Sequence, residues 1–135
     1  AKLAFNEGNT LYKQGQYDGA VAAYDKSLEL DPSNSSAYQG KGVALAKQRK
    51  YDEAIAAYQK AVEVDPTNFS AFAAMGKASY DKKDYKGAVE AYGQAVEINP
   101  QRETNIYMLA LSYTRLKDTK NAIKYYQMAT QVKPD

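Results

Sequence analysis

The side chains that most often do chemistry in enzymes are scarce in this chain. Its 135 residues include no cysteine and no histidine. Without these two residue types there is no thiol nucleophile, no imidazole base, no disulfide framework and no ordinary zinc site. Carboxylates alone could still bind Mg²⁺ or Ca²⁺, but the composition excludes most of the familiar hydrolytic mechanisms.

Two short stretches formally match catalytic or phosphate-binding motifs. Ser79 and Lys82 have the S-x-x-K spacing of the serine nucleophile in penicillin-recognising enzymes, but neither Ser-Asp-Asn nor Lys-Thr-Gly accompanies them. The stretch Gly40-Lys41-Gly42 lacks the remainder of a phosphate-binding loop and follows no strand pattern. We therefore predict that the protein is not an enzyme, has no catalytic residues and uses no cofactor or metal.

The charge balance argues against a nucleic-acid partner. The chain has eighteen Lys and Arg residues and sixteen Asp and Glu residues, so its net charge is only +2. The basic clusters at 47–50 and 82–83 are followed by the acidic residues Asp52 and Asp84, a pattern typical of solvated turns. No apolar run is long enough to span a membrane, and we predict no membrane insertion. A chain without cysteine suits both reducing and oxidising surroundings, so the compartment stays open.

A period of 34 residues organises the whole chain. Residues 1–34 and 35–68 are identical at 15 of 34 positions. Four columns of glycine, alanine, tyrosine or proline keep this period. They are Gly8, Gly42 and Gly76, then Ala20, Ala54, Ala88 and Ala122, then Tyr24, Tyr58, Tyr92 and Tyr126, and finally Pro32, Pro66, Pro100 and Pro134. Four repeats (1–34, 35–68, 69–102 and 103–135) fill the chain, which predicts a single domain over residues 1–135.

Each repeat is predicted to contain two helices. In the first repeat, residues 2–14 contain no helix breaker except Gly8. A second helix is expected to begin near Asp18, which we expect to cap it, and Pro32 prevents its continuation. Asn34 is placed to cap the first helix of the next repeat. The glycine and alanine columns indicate that helices approach closely there, and stability is expected to come from stacked neighbours.

These columns resemble the pattern of the tetratricopeptide repeat family. That pattern has a small residue at position 8, Ala at 20, an aromatic residue at 24 and Pro at 32 of each repeat. The chain departs from it at position 7, where Glu7, Lys41 and Met75 replace the usual Leu. The resemblance implies an all-α fold, a right-handed α-α superhelix or solenoid of four helix-turn-helix repeats. It also implies a non-catalytic module for protein–protein interaction.

In this family the first helices line a concave groove that binds a partner protein or peptide. The groove residues that the resemblance implies are Phe5, Asn6, Asn9, Tyr12, Gln39, Val43, Ala74, Lys77, Tyr80, Tyr107, Met108 and Leu111. A purely solvated face would not need Phe5, Val43 or Tyr107, although packing of the inner wall is an alternative explanation. We expect a protein segment to bind there mainly by apolar contacts, with Asn6, Asn9 and Gln39 as hydrogen-bonding groups.

A specialised groove in this family, the carboxylate clamp, holds the C-terminal peptides of heat-shock chaperones. It uses Lys at position 5 and Asn at position 9, then Asn at position 6 of the next repeat, then Lys at 2 and Arg at 6 of the third. The corresponding residues in this chain are Phe5, Asn9, Gly40, Ser70 and Ala74. Only the asparagine matches and all the cationic residues are absent, so we predict that the chain is not a chaperone adaptor of this kind.

Two alternative functions remain open, a scaffold that stacks end to end and a docking or spacer segment of a larger protein. The helix expected over residues 120–132 carries Ile123, Tyr126, Met128 and Val132, with further apolar residues between them, more than one buried stripe holds. The first repeat has a net charge of −2 and the fourth a net charge of +2, which makes head-to-tail contact electrostatically tolerable. Self-association through this C-terminal helix is therefore a second expectation.

Overall fold

The fold is known from a computed structural model, which describes residues 1–132. Over these residues the chain forms eight helices and no strand. The helices are α1 (Lys2–Lys13), α2 (Tyr17–Leu30), α3 (Ser35–Lys47), α4 (Tyr51–Val64), α5 (Phe69–Asp81), α6 (Tyr85–Ile98), α7 (Glu103–Arg115) and α8 (Thr119–Gln131). They form four pairs that follow the 34-residue period, which confirms the predicted all-α class of helix-turn-helix repeats.

Two compact units divide the chain, residues 1–71 and residues 72–135. Each unit has its own buried core. The core of the first unit contains Ala20, Tyr24, Leu28, Ala37 and Ala44. The core of the second unit contains Ala88, Tyr92, Val96, Ile106, Leu109 and Ala129. The single domain expected over residues 1–135 stays a prediction.

Small side chains let the two helices of a pair approach closely, as the sequence predicted. A Cβ atom at Gly42 of α3 would lie 2.5 Å from Cε1 of Tyr58 of α4. A Cβ atom at Gly76 of α5 would lie 2.7 Å from Cδ2 of Tyr92 of α6. Ala54 of α4 is fully buried. Each tyrosine ring therefore occupies the space that a methyl group at the glycine would need.

The predicted helix caps are correct at one position and wrong at another. The side chain of Asn34 caps α3 by accepting a hydrogen bond of 3.1 Å from the backbone N–H of Ala37, which confirms the prediction. The prediction for Asp18 is wrong. Helix α2 begins at Tyr17, so Asp18 lies inside the first turn, where its side chain makes no capping hydrogen bond. The capping aspartate occurs two positions earlier in the third repeat, at Asp84 before α6.

The turns at Pro32 and Pro66 are closed by a carboxylate. Oδ1 of Asp31 accepts hydrogen bonds from the backbone N–H and the hydroxyl of Ser33, at 3.1 and 2.6 Å. Asp65 makes the same two bonds with Thr67, at 3.1 and 2.7 Å. The hydroxyl and then the N–H favour the charged carboxylate, and they hold the pKa of Asp31 and of Asp65 below its usual range.

Candidate functional site

Five of the predicted groove residues line one pocket in the first unit. Helix α1 provides Phe5, Asn9 and Tyr12, and helix α3 provides Gln39 and Val43. The cavity has a volume of about 320 Å³. Its other lining residues are Tyr24, Ser36 and Gly40. A cavity of this size lies at the lower end of the range for ligand sites and accommodates one large side chain of a partner.

The aromatic part of the pocket is built on Tyr24 of α2. The ring of Phe5 packs on it at 5.9 Å between ring centroids, tilted by 51°. Gly40 makes room for the same ring, because a Cβ atom there would lie 2.7 Å from Cζ of Tyr24. Burial, and to a smaller extent the neighbouring Tyr12, raises the pKa of the Tyr24 hydroxyl. This hydroxyl therefore stays neutral at pH 7.

Two amide side chains supply the hydrogen-bonding groups of the pocket. The hydroxyl of Tyr24 donates to Oδ1 of Asn9 at 2.5 Å. Nδ2 of Asn68 donates to Oε1 of Gln39 at 3.0 Å. Among residues 1–132, neither Nδ2 of Asn9 nor Nε2 of Gln39 has a hydrogen-bond partner. Both amide nitrogens are therefore available to a ligand.

The pocket carries no formal charge, because its eight lining residues include no Lys, Arg, Asp or Glu. The sequence also placed Asn6 in the groove. Asn6 is exposed on α1 and does not line the pocket. The apolar lining and the two amides suit an uncharged group that combines an apolar body with polar atoms.

Three of the predicted groove residues in the second unit take part in pairwise contacts. Lys77 forms an ion pair of 3.0 Å with Asp81 on the same helix. The hydroxyl of Tyr80 accepts a hydrogen bond of 2.9 Å from Nε of Arg115. Tyr107 packs edge-on against Tyr126, at 5.7 Å between ring centroids.

The other three predicted residues of the second unit are half-buried. Met108 packs against the buried core of that unit. Ala74 and Leu111 lie on α5 and α7. The binding role of all six residues in this unit stays a prediction.

An apolar surface runs over α7 and α8 in the second unit. Tyr107 and Ile123 are 49% and 51% exposed. Tyr126 is half-buried, and its hydroxyl lies 3.2 Å from Oγ1 of Thr114. Its counterpart in the third repeat, Tyr92, is buried. Tyr126 therefore keeps part of its ring accessible, as the sequence predicted for the C-terminal helix.

Sequence reasoning missed part of the pocket. Tyr24 belongs to the tyrosine column of the 34-residue period and not to the groove positions that the resemblance implies, and it is buried in the core of the first unit. A signal for its second role lies at position 9 of the repeats, where Asn9 can bind a hydroxyl but Val43 and Leu111 cannot. The contact of Asn68 with Gln39 could not be predicted from the sequence, because capping of a helix is already a sufficient reason for an asparagine at position 68.

The dismissed catalytic motif lies where chemistry is disfavoured. Ser79 is buried, so its hydroxyl is poorly accessible to a substrate. Within residues 1–132 no three acidic side chains come close enough together to hold a metal ion. Over the same residues, no helix is both long enough and apolar enough to cross a membrane.

Family models of the tetratricopeptide repeat match almost the whole sequence. One model matches residues 5–69 and 41–105, and a second matches residues 104–135. The chain belongs to the tetratricopeptide repeat family. This result confirms the resemblance that the residue columns indicated.

Solved structures of the protein MamA have the same fold. One crystal structure of MamA is 28% identical, covers 94% of this chain and 74% of its own, and has a TM-score of 0.87. A second is 26% identical, covers 98% and 73%, and has a TM-score of 0.90. MamA from Desulfovibrio magneticus RS-1 is 26% identical, covers 96% and 73%, and has a TM-score of 0.85.

No curated protein matches the chain. The family and the structural neighbours nevertheless place it among protein-interaction and scaffold modules, a class that is typically non-catalytic.

Proposed function

We propose that the chain is a non-catalytic module that binds a segment of a partner protein, and that one large apolar side chain of this segment fills the pocket of the first unit. The observation that carries the proposal is the uncharged cavity of about 320 Å³ between α1 and α3. Burying one large apolar side chain contributes about 1.5–3 kcal/mol. A single short segment buries less area than most specific interfaces, so we expect micromolar affinity.

The chemistry of the lining favours an apolar anchor over a charged one. Phe5 lies in the pocket at the position where a carboxylate clamp has its lysine, and it packs on Tyr24. An acidic tail would therefore find no cation among the lining residues. Because the contact is apolar, added salt is expected to weaken binding little.

Selection from a phage-displayed library of random peptides tests this function. We expect the selected peptides to share a large apolar residue and to bind the chain about equally well at low and high salt. Val43→Asp should abolish their binding, because it places an unpaired carboxylate against the apolar side chain. Val64→Asp makes the same change at an exposed position of α4 outside the pocket and should leave binding intact.

Three results would contradict the proposal. The library could yield no specific peptide, the peptides could bind Val43→Asp as well as the original chain, or their affinity could fall steeply with salt. The last result would indicate an electrostatic or nucleic-acid partner instead. Circular dichroism of both variants shows whether the helices are retained.

A second candidate function is self-assembly, and the exposed apolar surface of the second unit favours it. This surface includes Tyr107, Ile123 and the accessible part of Tyr126. In the first unit, Leu3 is 83% exposed on α1. The repeats that carry these surfaces have net charges of +2 and −2. We propose that a second copy of the chain covers the surface of α7 and α8.

A further inference from the structure

We propose that Gln39 and Asn9 hold the bound segment in the pocket by donating hydrogen bonds to a backbone carbonyl oxygen beside its apolar side chain. This inference rests on the proposed binding of a segment in the pocket. It adds that the segment must provide a hydrogen-bond acceptor next to its apolar side chain. The direction of the hydrogen bonds around Asn68 supports this role of Gln39.

The side chain of Asn68 has only one possible orientation. The backbone N–H of Ala71 donates to its Oδ1 at 3.0 Å. A backbone N–H can only donate, so the oxygen of Asn68 has to face it and the NH₂ group has to face the opposite way. This NH₂ group lies 3.0 Å from Oγ of Ser35 and 3.0 Å from Oε1 of Gln39. Both of its protons are thereby used.

Ser35 agrees with this orientation. Its hydroxyl donates to the backbone carbonyl of Ala61 at 2.8 Å. A hydroxyl has a single proton, so towards Asn68 the Ser35 oxygen can only accept. The network therefore runs in one direction, from the NH₂ group of Asn68 to its two acceptors.

The network fixes the end of Gln39 that a ligand meets. Because Oε1 of Gln39 accepts from Asn68, the Nε2 group of the same amide is left to donate. At Asn9 the hydroxyl of Tyr24 donates to Oδ1, which leaves Nδ2 as the donor towards a ligand. A hydroxyl can also accept, so the fixed orientation is that of Gln39, and Asn9 adds a second donor when its amide is turned this way. Both amides thus offer N–H donors to the pocket, while each amide oxygen already accepts one hydrogen bond from the protein.

Two donors in one pocket require an acceptor on the ligand. A backbone N–H or an ammonium group would leave buried donors facing each other, which is unfavourable. A carboxylate would accept both hydrogen bonds, but no Lys or Arg lines the pocket to neutralise it. A backbone carbonyl accepts without a charge, and every apolar residue of a bound segment carries one. The pocket therefore binds an apolar side chain together with the neighbouring backbone carbonyl group.

Near-isosteric substitutions test the donor at Gln39. The probe is a fluorescently labelled peptide without charged residues, selected on the original chain by phage display. Gln39→Glu keeps an acceptor for Asn68 but replaces the ligand-facing donor with an acceptor. We expect its Kd to rise about tenfold or more. Gln59→Glu makes the same chemical change at an exposed position of α4 and should leave the Kd within about twofold of the original.

Asn68 acts through Gln39, and a double-mutant cycle separates this positioning role from a structural one. Asn68→Asp still caps the N–H of Ala71 but has no NH₂ group, so the amide of Gln39 is expected to turn and donate to it. The oxygen of Gln39 then faces the ligand, and binding should weaken about tenfold. In a Gln39→Ala background the same substitution should have no further effect.

The outcomes separate this inference from the proposed function. The probe could lose binding on Val43→Asp but bind Gln39→Glu unchanged or more tightly. The proposed function would then stand, and the proposed role of Gln39 as a hydrogen-bond donor to the ligand would be overturned. An equal loss from Asn68→Asp in both backgrounds would also overturn it, since that result indicates a structural role. If no peptide is selected at all, the proposed function itself fails.

Discussion

Tyrosine has three different roles at the residue scale. Tyr58 and Tyr92 are buried next to a glycine, and burial raises the pKa of both hydroxyl groups above the usual value of 10.0. Tyr24 is equally buried, but it lines the pocket and its hydroxyl donates a hydrogen bond to Asn9. Tyr107 is half exposed on α7. The same residue type thus packs in a core, lines a pocket or lies on an exposed surface, depending on what is next to the ring.

Two glycines test the close packing of these rings. A Cβ atom at Gly42 would lie 2.5 Å from the buried ring of Tyr58, whereas no atom lies within 4 Å of a Cβ atom at Gly93 in α6. We therefore expect Gly42→Ala to lower the free energy of unfolding by about 1–3 kcal/mol through overpacking. Gly93→Ala should raise it by about 0.5–1 kcal/mol, because alanine is the better helix former. Urea denaturation followed by circular dichroism measures both, and equal effects would refute the close-packing explanation.

At the scale of elements, local signals predicted the helix pairs well. Proline, glycine and the cap at Asn34 act on their immediate neighbours, so their consequences can be deduced from the sequence. The turn within each pair was harder. It has a residue with a positive φ at Gly15, Arg49, Lys83 or Lys117. Only the glycine can be recognised in the sequence as a residue that favours this conformation.

The candidate site was predictable only in part, for a related reason. The resemblance placed Phe5 and Val43 in the groove because a helix has a fixed periodicity. The bond from Asn68 to Gln39 joins residues 29 positions apart. Such a contact depends on how one helix pair packs against the next, and local sequence patterns therefore do not predict it.

The aspartates of the proline turns make stability depend on pH. Hydrogen bonds from Ser33 and Thr67 lower the folded-state pKa of Asp31 and Asp65 below the ordinary value of 3.8. Their contribution to stability is therefore complete above that value and is lost as the pH falls through the folded-state pKa.

We expect the urea midpoint to drop as the pH is lowered below about 4, and to drop less in the double variant Asp31→Asn, Asp65→Asn. Asparagine suits this turn, because Asn99 accepts a hydrogen bond of 3.1 Å from the N–H of Gln101 at the equivalent place. Glu29→Gln removes an exposed carboxylate of α2 as a control. An identical acid profile for the double variant and the original chain would show that these turns do not contribute.

At the scale of the whole molecule, the two units expose different surfaces. The first unit has the uncharged pocket between α1 and α3. The second has the apolar surface of α7 and α8, around Tyr107 and Ile123. An exposed apolar surface of this kind commonly marks a contact with another protein. The proposed partner binding and the proposed self-assembly therefore involve separate surfaces and can be tested independently.

Sedimentation over a wide range of concentrations tests self-assembly. We expect the average mass of the original chain to rise with concentration, because a second copy covers the surface of α7 and α8. Ile123→Lys places a charge at a position that is 51% exposed. It should keep the chain monomeric without destabilising it, since a surface substitution of this kind changes stability by about 0.5 kcal/mol or less.

Leu30→Lys is the matched control, because Leu30 is 63% exposed on α2 and lies outside both surfaces. This variant should associate like the original chain. Val43→Asp should associate as well, since it alters the pocket and not the surface of α7 and α8. Because the contact is apolar with opposite charges around it, added salt should weaken association only slightly. A chain that stays monomeric at every concentration, or that associates equally with and without Ile123→Lys, would exclude this surface as the site of self-assembly.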